Sequence, residues 1–396
     1  MGSRGSVLLI VQNLPVPFDR RVWLEALTLL EAGYTVSVIS PRGDGDRGRE
    51  DRQGIHLYRY PPSPEAHGTA GFFVEFAYCW LMTCFLSMRA YADHRFNVIH
   101  ACNPPETYFL LAWLYRPLGV RFLFDHHDLS PEMYLAKGGR RGGWLHRGLL
   151  LLERLTLHSA SVVLATNESH KRVAHERGSV PPEQIFVVRS GPDFERLRLM
   201  PPEPDLKEGR RHLVCYLGEM CLQDRVDILL QAASHLVRDI GRTDVLFVLL
   251  GGGPDLPRLR ALCRELGLGS WVRFTGRVPD ETVCRYLSTA DVCAAPDPLT
   301  DWSDQSTMNK VMEYMTFAKP LVAFDLRETR VSARDAALYA TPNDPQDFAA
   351  KIETLLDCPD QRQAMGQFAR QRVINHLSWD HSKQHLLAAY ERLLRG

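Results

Sequence analysis

Short apolar runs of strand length alternate with amphipathic stretches along the whole chain. Runs rich in valine, isoleucine and leucine predict buried strands at residues 6–11, 35–40, 96–101, 121–125, 161–166, 184–188, 213–218, 245–250, 271–275, 291–295, 320–324 and 336–341. Most are separated by stretches of helical periodicity, such as residues 21–32, 105–115, 226–237 and 256–266. Buried strands joined by helices are typical of parallel sheets covered on both faces. The pattern therefore predicts an α/β protein.

The alternation is interrupted once, between residues 200 and 212, where prolines and a run of charges indicate a linker. We therefore predict a Rossmann-like N-terminal domain over residues 1–200 and a second Rossmann-like domain over residues 201–378, with a cleft between them. The last helix, residues 379–396, has no strand after it. We expect it to pack back on the first domain.

Composition narrows the functional classes. Basic and acidic residues balance at 47 each, so the chain has no electrostatic bias toward nucleic acid, and we expect no nucleic-acid partner. Nine cysteines, an odd number without a Cys-x-x-Cys pair, favour a reducing compartment over disulfides or a zinc site. The first residues lack the charged-then-apolar layout of a signal peptide. We therefore expect a cytoplasmic protein.

An apolar segment at residues 71–91 is the candidate for membrane contact. Glu75 interrupts it and Arg89 ends it, which makes it too short for a spanning helix of about 20 residues. Its large apolar residues recur near helical spacing and comprise Phe72, Phe73, Phe76, Trp80, Leu81 and Phe85. The segment predicts either a buried helix or a helix that lies on a membrane surface.

The richest polar pattern lies at residues 303–322. Ser306 and Thr307 are good N-cap residues directly before an apolar helical pattern. Free amides, hydroxyls and Lys310 at a helix N-terminus favour an anion, and Glu313 one turn further can accept hydrogen bonds from sugar hydroxyls. A phosphate at the helix N-terminus with hydroxyls alongside describes a nucleotide sugar. An ordinary capped helix is an equally good interpretation.

Three strand ends in the second domain carry loops of interest. Gly218 ends the first strand, Gly251 to Gly253 follow the second, and Arg277 and Val278 follow the third. Glycine lets the backbone turn tightly and approach a ligand, as in other strand–loop–helix nucleotide sites. Because parallel strands end at the same edge, we expect these loops to lie beside the helix near residue 308. A tight connection without a ligand is the alternative for each loop alone.

Charge in the first domain gives two further hypotheses. Arg20 and Arg21 open the first helix, where positive charge is unfavourable against the helix dipole. They predict an anionic partner, with solvated arginines as the alternative. Asp44 and Asp46 spell an Asp-x-Asp pattern that can bind a divalent cation, but they lie in a Gly/Arg-rich loop far from the other signals. We predict that no metal is required.

In their combined order these motifs resemble the retaining glycosyltransferases of family 4, which have the GT-B fold of two Rossmann-like domains. The resemblance covers essentially the whole chain. It includes Asn13-Leu-Pro-Val-Pro-Phe-Asp-Arg-Arg21, Asp125-His-His-Asp-Leu-Ser-Pro-Glu132, Gly276-Arg-Val-Pro279 and the helix with Glu313. The most similar subgroup builds bacterial exopolysaccharide and other cell-surface glycans.

The family's hallmark is a pair of glutamates separated by seven residues. Glu313 matches the second, which is expected to contact the ribose of the donor, whereas Gln305 with Asp304 beside it takes the place of the first. An arginine and a lysine that face the diphosphate in the family are also replaced. Glu219 stands in one position, with Asp224 and Arg225 near the other.

The resemblance therefore implies that Arg225, Lys310 and a helix N-terminus neutralise the diphosphate of a UDP- or GDP-sugar, without a cofactor. It implies that His127 contacts the reacting sugar, although a core histidine is the alternative, and that Lys310 is the second catalytic residue. The expected donor-binding set is Gly218, Arg225, Gly251, Gly253, Arg277, Val278, Asp304, Gln305, Ser306, Thr307, Met308, Asn309 and Glu313. The expected acceptor-binding set is Asn13, Arg20, Arg21, Asp128 and Glu132.

The function implied is transfer of a sugar from a nucleotide diphosphosugar to an acceptor hydroxyl, with retention at the anomeric carbon. The subgroup and the apolar segment at residues 71–91 favour a lipid-linked acceptor reached from the inner face of the membrane. Two alternatives are a transferase that acts on a soluble hydrophobic aglycone and a non-catalytic protein that binds sugar nucleotides.

Overall fold

The computed structural model describes residues 4–63 and 68–395, except for the side chains of residues 68–70, 72 and 73. Phe72 and Phe73 of the predicted apolar segment therefore have side chains outside the described part of the chain. The chain forms two compact units, Met1–Ser190 with Ser382–Gly396, and Gly191–His381. The division lies before the predicted one at residue 200, because Leu197 is buried in the core of the second unit and Arg196 pairs with Glu313 there.

The first unit is built on one sheet. Its strands among the described residues are β1 (Ser6–Ile10), β2 (Thr35–Pro41), β3 (Arg49–Arg52), β4 (Ile55–Tyr60), β5 (Val98–Cys102), β6 (Arg121–His126), β7 (Val162–Ala165) and β8 (Ile185–Val187). They lie in the order β3-β4-β2-β1-β5-β6-β7-β8. All neighbours are parallel except β3 and β4. The order changes direction between β1 and β5, so the strand ends there flank a topological switch point, where open α/β sheets bind ligands.

The antiparallel pair β3 and β4 is absent from the sequence prediction. The edge strand β3 is entirely charged because it faces solvent, so it has no apolar run to identify it. In β4 the buried Arg59 interrupts the apolar pattern; it donates hydrogen bonds to Glu50 at 2.7 Å and to the Val16 carbonyl at 2.9 Å. A charged residue that is buried and paired in this way has the same letter in the sequence as an exposed one, so the sequence pattern does not reveal its burial.

Helices cover the first sheet. They are α1 (Arg20–Glu31), α2 (Gly68–His94), α3 (Phe109–Tyr115), α4 (Ser130–Ala136), α5 (Trp144–Ser159) and α6 (Glu168–Glu176). Asp19 caps α1 by accepting a hydrogen bond from the Val22 amide. The core between sheet and helices contains Leu8, Ile99 and Phe124, all of them buried.

The second unit has one fully parallel sheet among its described residues. Its strands are β9 (His212–Leu217), β10 (Val245–Leu250), β11 (Val272–Gly276), β12 (Val292–Ala295), β13 (Leu321–Phe324) and β14 (Ala337–Ala340), in the order β11-β10-β9-β12-β13-β14. The chain runs outward from β9 to β11 and then returns to place β12 on the other side of β9. The switch point of this sheet therefore lies between the ends of β9 and β12.

The helices of the second unit complete the α/β alternation. They are α7 (Val226–Ser234), α8 (Leu256–Glu265), α9 (Asp280–Thr289), α10 (Asn309–Thr316), α11 (Arg327–Ala333), α12 (Pro345–Asp357) and α13 (Pro359–Arg372), and the last helix, α14 (Trp379–Arg395), only begins in this unit. Residues from Ser382 onward belong to the first unit. There Tyr390 is fully buried and its hydroxyl lies 2.9 Å from His100 Nδ1.

Helix α2 has two different sides. Cys79, Leu86 and Ala90 are buried against the first sheet at helical spacing. Among the described residues, no helix is both long enough and apolar enough to cross a membrane. The opposite side of α2 nevertheless exposes large apolar side chains, which include Leu81 and Phe85.

Candidate functional site

Three strand ends of the second unit interlock at the carboxyl edge of its sheet. The Gly218 amide after β9 donates to the Leu250 carbonyl at 3.0 Å, and the Met220 amide donates to Gly252 at 2.9 Å. The Gly251 amide donates to the Gly276 carbonyl of β11 at 3.0 Å. These loops hold one another through the backbone, so they form a rigid edge beside the switch point.

The close approach of the loops requires glycine at position 251. Gly251 has a φ of +128°, and a Cβ added there would lie 1.9 Å from the Gly218 carbonyl oxygen. Any side chain would therefore push the first two loops apart. At Gly253 an added Cβ would lie 2.5 Å from the Met220 carbonyl oxygen.

Lys310 of α10 lies next to Gly218. Its Nζ donates to Asp297 Oδ1 at 2.6 Å and lies 5.2 Å from the centre of the Tyr216 ring. Its Cε lies 3.2 Å from the place where a Cβ on Gly218 would stand. Burial lowers the pKa of Lys310, but the charge of Asp297 outweighs it and raises that pKa. Lys310 is therefore a cation at neutral pH, and it lies beside the end of β9 at the switch point of the sheet.

The start of α10 differs from the sequence prediction. The N-cap is Met308, which makes no side-chain capping bond, so the prediction that Ser306 or Thr307 caps the helix is wrong. Ser306 instead donates its hydroxyl hydrogen bond to the Trp302 carbonyl at 2.7 Å, because a short 3-10 turn precedes the helix. Asn309 is the first helical residue. The first amides of such a helix lack intrahelical acceptors.

Asp304 and Gln305 lie on the turn before α10. Asp304 Oδ1 accepts from the Arg327 amide at 2.8 Å, and Gln305 Nε2 donates to the Asp301 carbonyl at 2.8 Å. Both residues line a cavity of about 450 Å³. The remaining lining residues are Leu299, Thr300, Asp301 and Arg327.

Lys310 pairs with Asp297, whereas Arg225, among the described residues, pairs with Asp227. Its Nε donates to Asp227 Oδ1 at 3.0 Å on a partly exposed surface. Lys310 is thus the predicted diphosphate-binding cation that lies at the interlocked loops. Asp224, which takes part of the place of the expected lysine, accepts a hydrogen bond from the Cys221 amide, and burial raises the pKa of its carboxyl group.

Two other predicted donor residues have partners within the second unit. Glu313 accepts a hydrogen bond from Arg196 at 2.7 Å, and Arg196 also contacts Asp280 at 2.9 Å. Arg277 lies 3.6 Å from Glu219, with both side chains about two-thirds exposed, while Val278 packs against the core. A ribose at Glu313 would therefore have to share or replace the contact with Arg196.

In the first unit the predicted sugar contact, His127, directly follows β6. Its amide donates to Asn103 Oδ1 at 2.7 Å, and its Nε2 lies 2.6 Å from Asp125 Oδ2. Asp125 is fully buried and receives two hydrogen bonds from Arg21, at 2.8 Å and 3.0 Å. The histidine therefore has a fixed main chain and a fixed ring.

Arg21 does not reach outward to an acceptor as predicted. Its side chain is 6% exposed, and its anionic partner is Asp125 in the interior. It also donates to the Val188 carbonyl at 2.7 Å and to Ser190 Oγ at 3.2 Å. The anion inferred from its unfavourable place at the helix N-terminus is thus part of the protein itself.

The same cluster has the composition of a metal site. Ligand atoms of Glu25, Cys102, Asp125 and His127 all lie within 4.8 Å of one another. Arg21 Nε lies 3.0 Å from Asp125, 3.2 Å from Glu25 and 2.8 Å from His127, in the position that a bound cation would take. The guanidinium group thus supplies the positive charge of this cluster. Burial and the charge of Asp125 raise the pKa of Glu25 well above its ordinary value.

The other predicted acceptor residues are spread along the first unit. Asn13 and Arg20 are exposed near the end of β1 and the start of α1. Asp128 is held through its main chain, since Asn103 donates to its carbonyl at 2.6 Å. Glu132 binds Arg177 at 2.7 Å. The structure therefore places Asp128 with His127 and ties Glu132 to a separate ion pair.

Sequence reasoning did not select Asp125, Asp297 or Asn103. Each is a polar residue at or just after the carboxyl end of a buried strand, namely β6, β12 and β5. That position was the available signal, because polar side chains at the carboxyl edge of a parallel sheet are where α/β proteins bind ligands.

Comparisons with known proteins agree with this architecture. A family model described as "Glycosyl transferase 4-like domain" matches residues 19–191, and one described as "Glycosyl transferases group 1" matches residues 211–358. The D-inositol 3-phosphate glycosyltransferase of Corynebacterium urealyticum is 26% identical over 301 residues, which cover 72% of this chain and 69% of the relative.

Solved structures share the fold across the whole chain. The sucrose-phosphate synthase of Thermosynechococcus elongatus superposes with a TM-score of 0.80 at 17% identity, over 99% of this chain and all of that one. The Anabaena protein HepE, in complex with UDP and glucose, gives a TM-score of 0.74 at 15% identity over 98% of this chain and all of that one. The two family models together cover most of the chain, and the predicted fold is confirmed: the protein belongs to the group 1, family 4 glycosyltransferases and has the GT-B fold.

Proposed function

We propose that this glycosyltransferase moves a sugar from a UDP- or GDP-sugar to an acceptor hydroxyl, with retention at the anomeric carbon and without a metal ion. The observation that supports it most is the Lys310–Asp297 pair below the interlocked loops after β9 and β10. A buried cation at the switch point of a parallel sheet is suited to the diphosphate of a nucleotide.

The proposed chemistry places developing charge on the leaving diphosphate. Lys310 and the first amides of α10 would stabilise that charge, which is the role that fixed donors fill best in a water-poor site. The acceptor hydroxyl attacks the anomeric carbon from the side on which the diphosphate departs. A phosphate oxygen of the leaving group takes the hydroxyl proton, so no protein nucleophile is required. Retention follows from attack on that face.

UDP is the first nucleotide to test, because the similar HepE structure contains UDP and glucose. Glu313 is proposed to accept the ribose hydroxyls in exchange for part of its contact with Arg196. His127 is proposed to contact the transferred sugar from the first unit.

A lipid-linked acceptor is supported by an exposed apolar face on the first unit. On α2, Val74, Leu81, Phe85 and Met88 follow helical spacing and are between 57% and 64% exposed. The neighbouring α3 adds its own exposed apolar residues. These are Leu110, Trp113 and Leu114, with Leu118 after the helix.

The two helices pack against each other. Ser87 of α2 lies 3.1 Å from the Tyr115 hydroxyl of α3, and the rings of Tyr91 and Tyr115 are 5.3 Å apart. Arg89 and Arg116 are exposed on the same two segments. Exposed apolar side chains on two packed helices, with exposed arginines in the same part of the chain, suit the boundary between acyl chains and anionic headgroups. We propose that this face rests on the inner surface of the membrane.

A thermal-shift screen across nucleotide diphosphates and their sugars tests the donor. A bound donor stabilises the folded state according to its affinity, so the correct nucleotide raises the Tm, and its free nucleoside does so less. If no nucleotide raises the Tm and none binds by calorimetry, the donor assignment is wrong.

Flotation with anionic liposomes tests the membrane face. The native protein should float, and a variant with Leu81→Ser and Phe85→Ser should remain at the bottom while keeping its nucleotide affinity. A matched control with Ile374→Ser, whose side chain is 42% exposed in the second unit, should float like the native protein. Native protein that stays at the bottom and glycosylates a soluble hydrophobic acceptor at full rate would instead support the aglycone alternative.

A further inference from the structure

Asp125 contacts both the proposed catalytic histidine and a buried arginine. It lies in β6, two residues before His127, and its Oδ2 atom is 2.6 Å from His127 Nε2. Both of its oxygens accept from Arg21, which is itself held by the Val188 carbonyl. The carboxylate cannot turn away from the histidine without breaking these bonds.

The short contact determines which ring nitrogen of His127 carries its proton. Burial raises the pKa of Asp125, but the charge of Arg21 and the hydrogen bonds from His100 and His127 lower it more, so the pKa lies well below its ordinary value. The carboxylate therefore has no proton to donate. A separation of 2.6 Å from a carboxylate oxygen needs a hydrogen between the two atoms, so that hydrogen is on His127 Nε2.

Arg21 Nε also lies 2.8 Å from His127 Nε2. One ring nitrogen cannot donate to Asp125 and accept from Arg21 at the same time. With the hydrogen on Nε2, the Arg21 N–H is directed at Asp125 Oδ2, 3.0 Å away. The guanidinium then neutralises the carboxylate without competing for the ring.

We propose that Asp125 is a positioning residue that holds His127 as the Nε2–H tautomer and leaves its Nδ1 free to accept a hydrogen bond from a hydroxyl of the transferred sugar. This inference rests on the proposed function. Among the described residues, no hydrogen-bond partner of His127 Nδ1 is found, and the side chain is 16% exposed. The hydrogen bond from the His127 backbone amide to Asn103 Oδ1 fixes the main chain, and with it the direction in which that edge of the ring faces.

The neighbouring residue, His126 at the end of β6, provides a matched control. His126 Nε2 lies 3.4 Å from Glu153, which in turn pairs with Arg177 at 2.5 Å. This is the same combination of histidine, carboxylate and arginine, but His126 lies within β6 whereas His127 follows the strand. His126 and Glu153 are fully buried, whereas the His127 side chain is 16% exposed.

The first experiment compares Asp125→Asn with Glu153→Gln. The side-chain amide that replaces the carboxylate in Asp125→Asn would donate to Nε2, which moves the ring hydrogen to Nδ1 and removes the proposed acceptor. We expect kcat per folded enzyme to fall about 100-fold or more in Asp125→Asn, with the donor KM changed less than about threefold. Glu153→Gln should lower the Tm to a similar degree but keep kcat within about threefold of native.

A double variant tests whether Asp125 acts through His127. Asp125→Asn combined with His127→Ala should be no slower than His127→Ala alone, because the positioned group is already gone. If the two losses multiply, or if Asp125→Asn reduces kcat no more than Glu153→Gln, the positioning role is wrong.

Long-range ¹H–¹⁵N spectra of the native protein, labelled in its histidine rings, need no variant to fold. They should show the hydrogen of neutral His127 on Nε2, with His127→Ala identifying the signal. A hydrogen on Nδ1 would overturn the inference. The spectra also separate it from the proposed function: absence of transferase activity in the native protein would refute the function, whereas the tautomer is read without any substrate.

Discussion

Replacing Lys310 by methionine separates its role in folding from its role at the site. Methionine keeps the length and apolar stem of lysine but leaves Asp297 as a buried carboxylate without its cation. Asp297 is 3% exposed and lies 2.6 Å from Lys310 Nζ. Breaking a buried ion pair by removing one partner typically costs about 3–5 kcal/mol of unfolding free energy. We expect a loss in that range from urea unfolding followed by circular dichroism.

Removing the second charge should recover much of that stability. In Lys310→Met with Asp297→Asn no unpaired charge is buried, so the double variant should unfold at a urea concentration between those of the native protein and the single variant. Affinity for the nucleoside diphosphate identified by the thermal screen should stay about tenfold or more below native, which corresponds to about 1.4 kcal/mol. Affinity for the nucleoside without phosphate should be near native in the same calorimetric titrations.

These two readouts distinguish a phosphate contact from a structural ion pair. If the double variant regains nucleoside diphosphate affinity together with its stability, Lys310 does not contact the diphosphate. Equal losses for the nucleoside and its diphosphate would also contradict the proposal, because they would indicate a general distortion of the loops near Gly218.

Three further predictions concern other parts of the two units. Gly251→Ala places a Cβ 1.9 Å from the Gly218 carbonyl and should reduce nucleotide affinity at least about tenfold, whereas Gly252→Ala, whose Cβ meets only the Arg277 amide at 3.8 Å, should bind normally in the same titration. Glu313→Ala should weaken donor binding by about 1.5–3 kcal/mol without loss of the fold, and unchanged affinity would remove Glu313 from the site. Burial and Asp125 raise the pKa of Glu25, so the folded state keeps a proton that the unfolded state loses above about pH 4.3. Unfolding free energy should therefore fall as pH rises from there toward the raised pKa, and Glu25→Gln should flatten that slope; parallel curves for both proteins would show that Glu25 is ionised in the folded state.

Much of the fold could be predicted because apolar periodicity reports burial directly. All twelve predicted strands are present, and α8 begins at the predicted residue. The hairpin β3–β4 was missed because β3 is charged and faces solvent, and because Arg59 of β4 is buried in a pair with Glu50 that a sequence pattern cannot show. The unit boundary was placed too late for a similar reason, since Leu197 is anchored by tertiary contacts rather than by local composition.

The candidate site could be predicted only in part. Glycines at strand ends and a lysine near a helix start are local signals, and the structure brings Gly218, Gly251 and Lys310 together. The role of Arg21 was predicted wrongly. An arginine at a helix N-terminus needs an anion, and that anion, Asp125, is distant in sequence. The start of α10 was also misplaced, since the preceding turn uses the Ser306 hydroxyl that the pattern assigned to the cap.

The most direct test of the account is the anomeric configuration of the product. The enzyme would be incubated with the UDP- or GDP-sugar that gives the largest thermal shift and with a hydroxyl acceptor, without added metal and in the presence of EDTA. Proton NMR would follow the coupling of the anomeric hydrogen from the first turnovers onward. We predict a product with the same anomeric configuration as the donor sugar, formed at an undiminished rate in EDTA. A product of inverted configuration would contradict the proposed attack on the face from which the diphosphate departs.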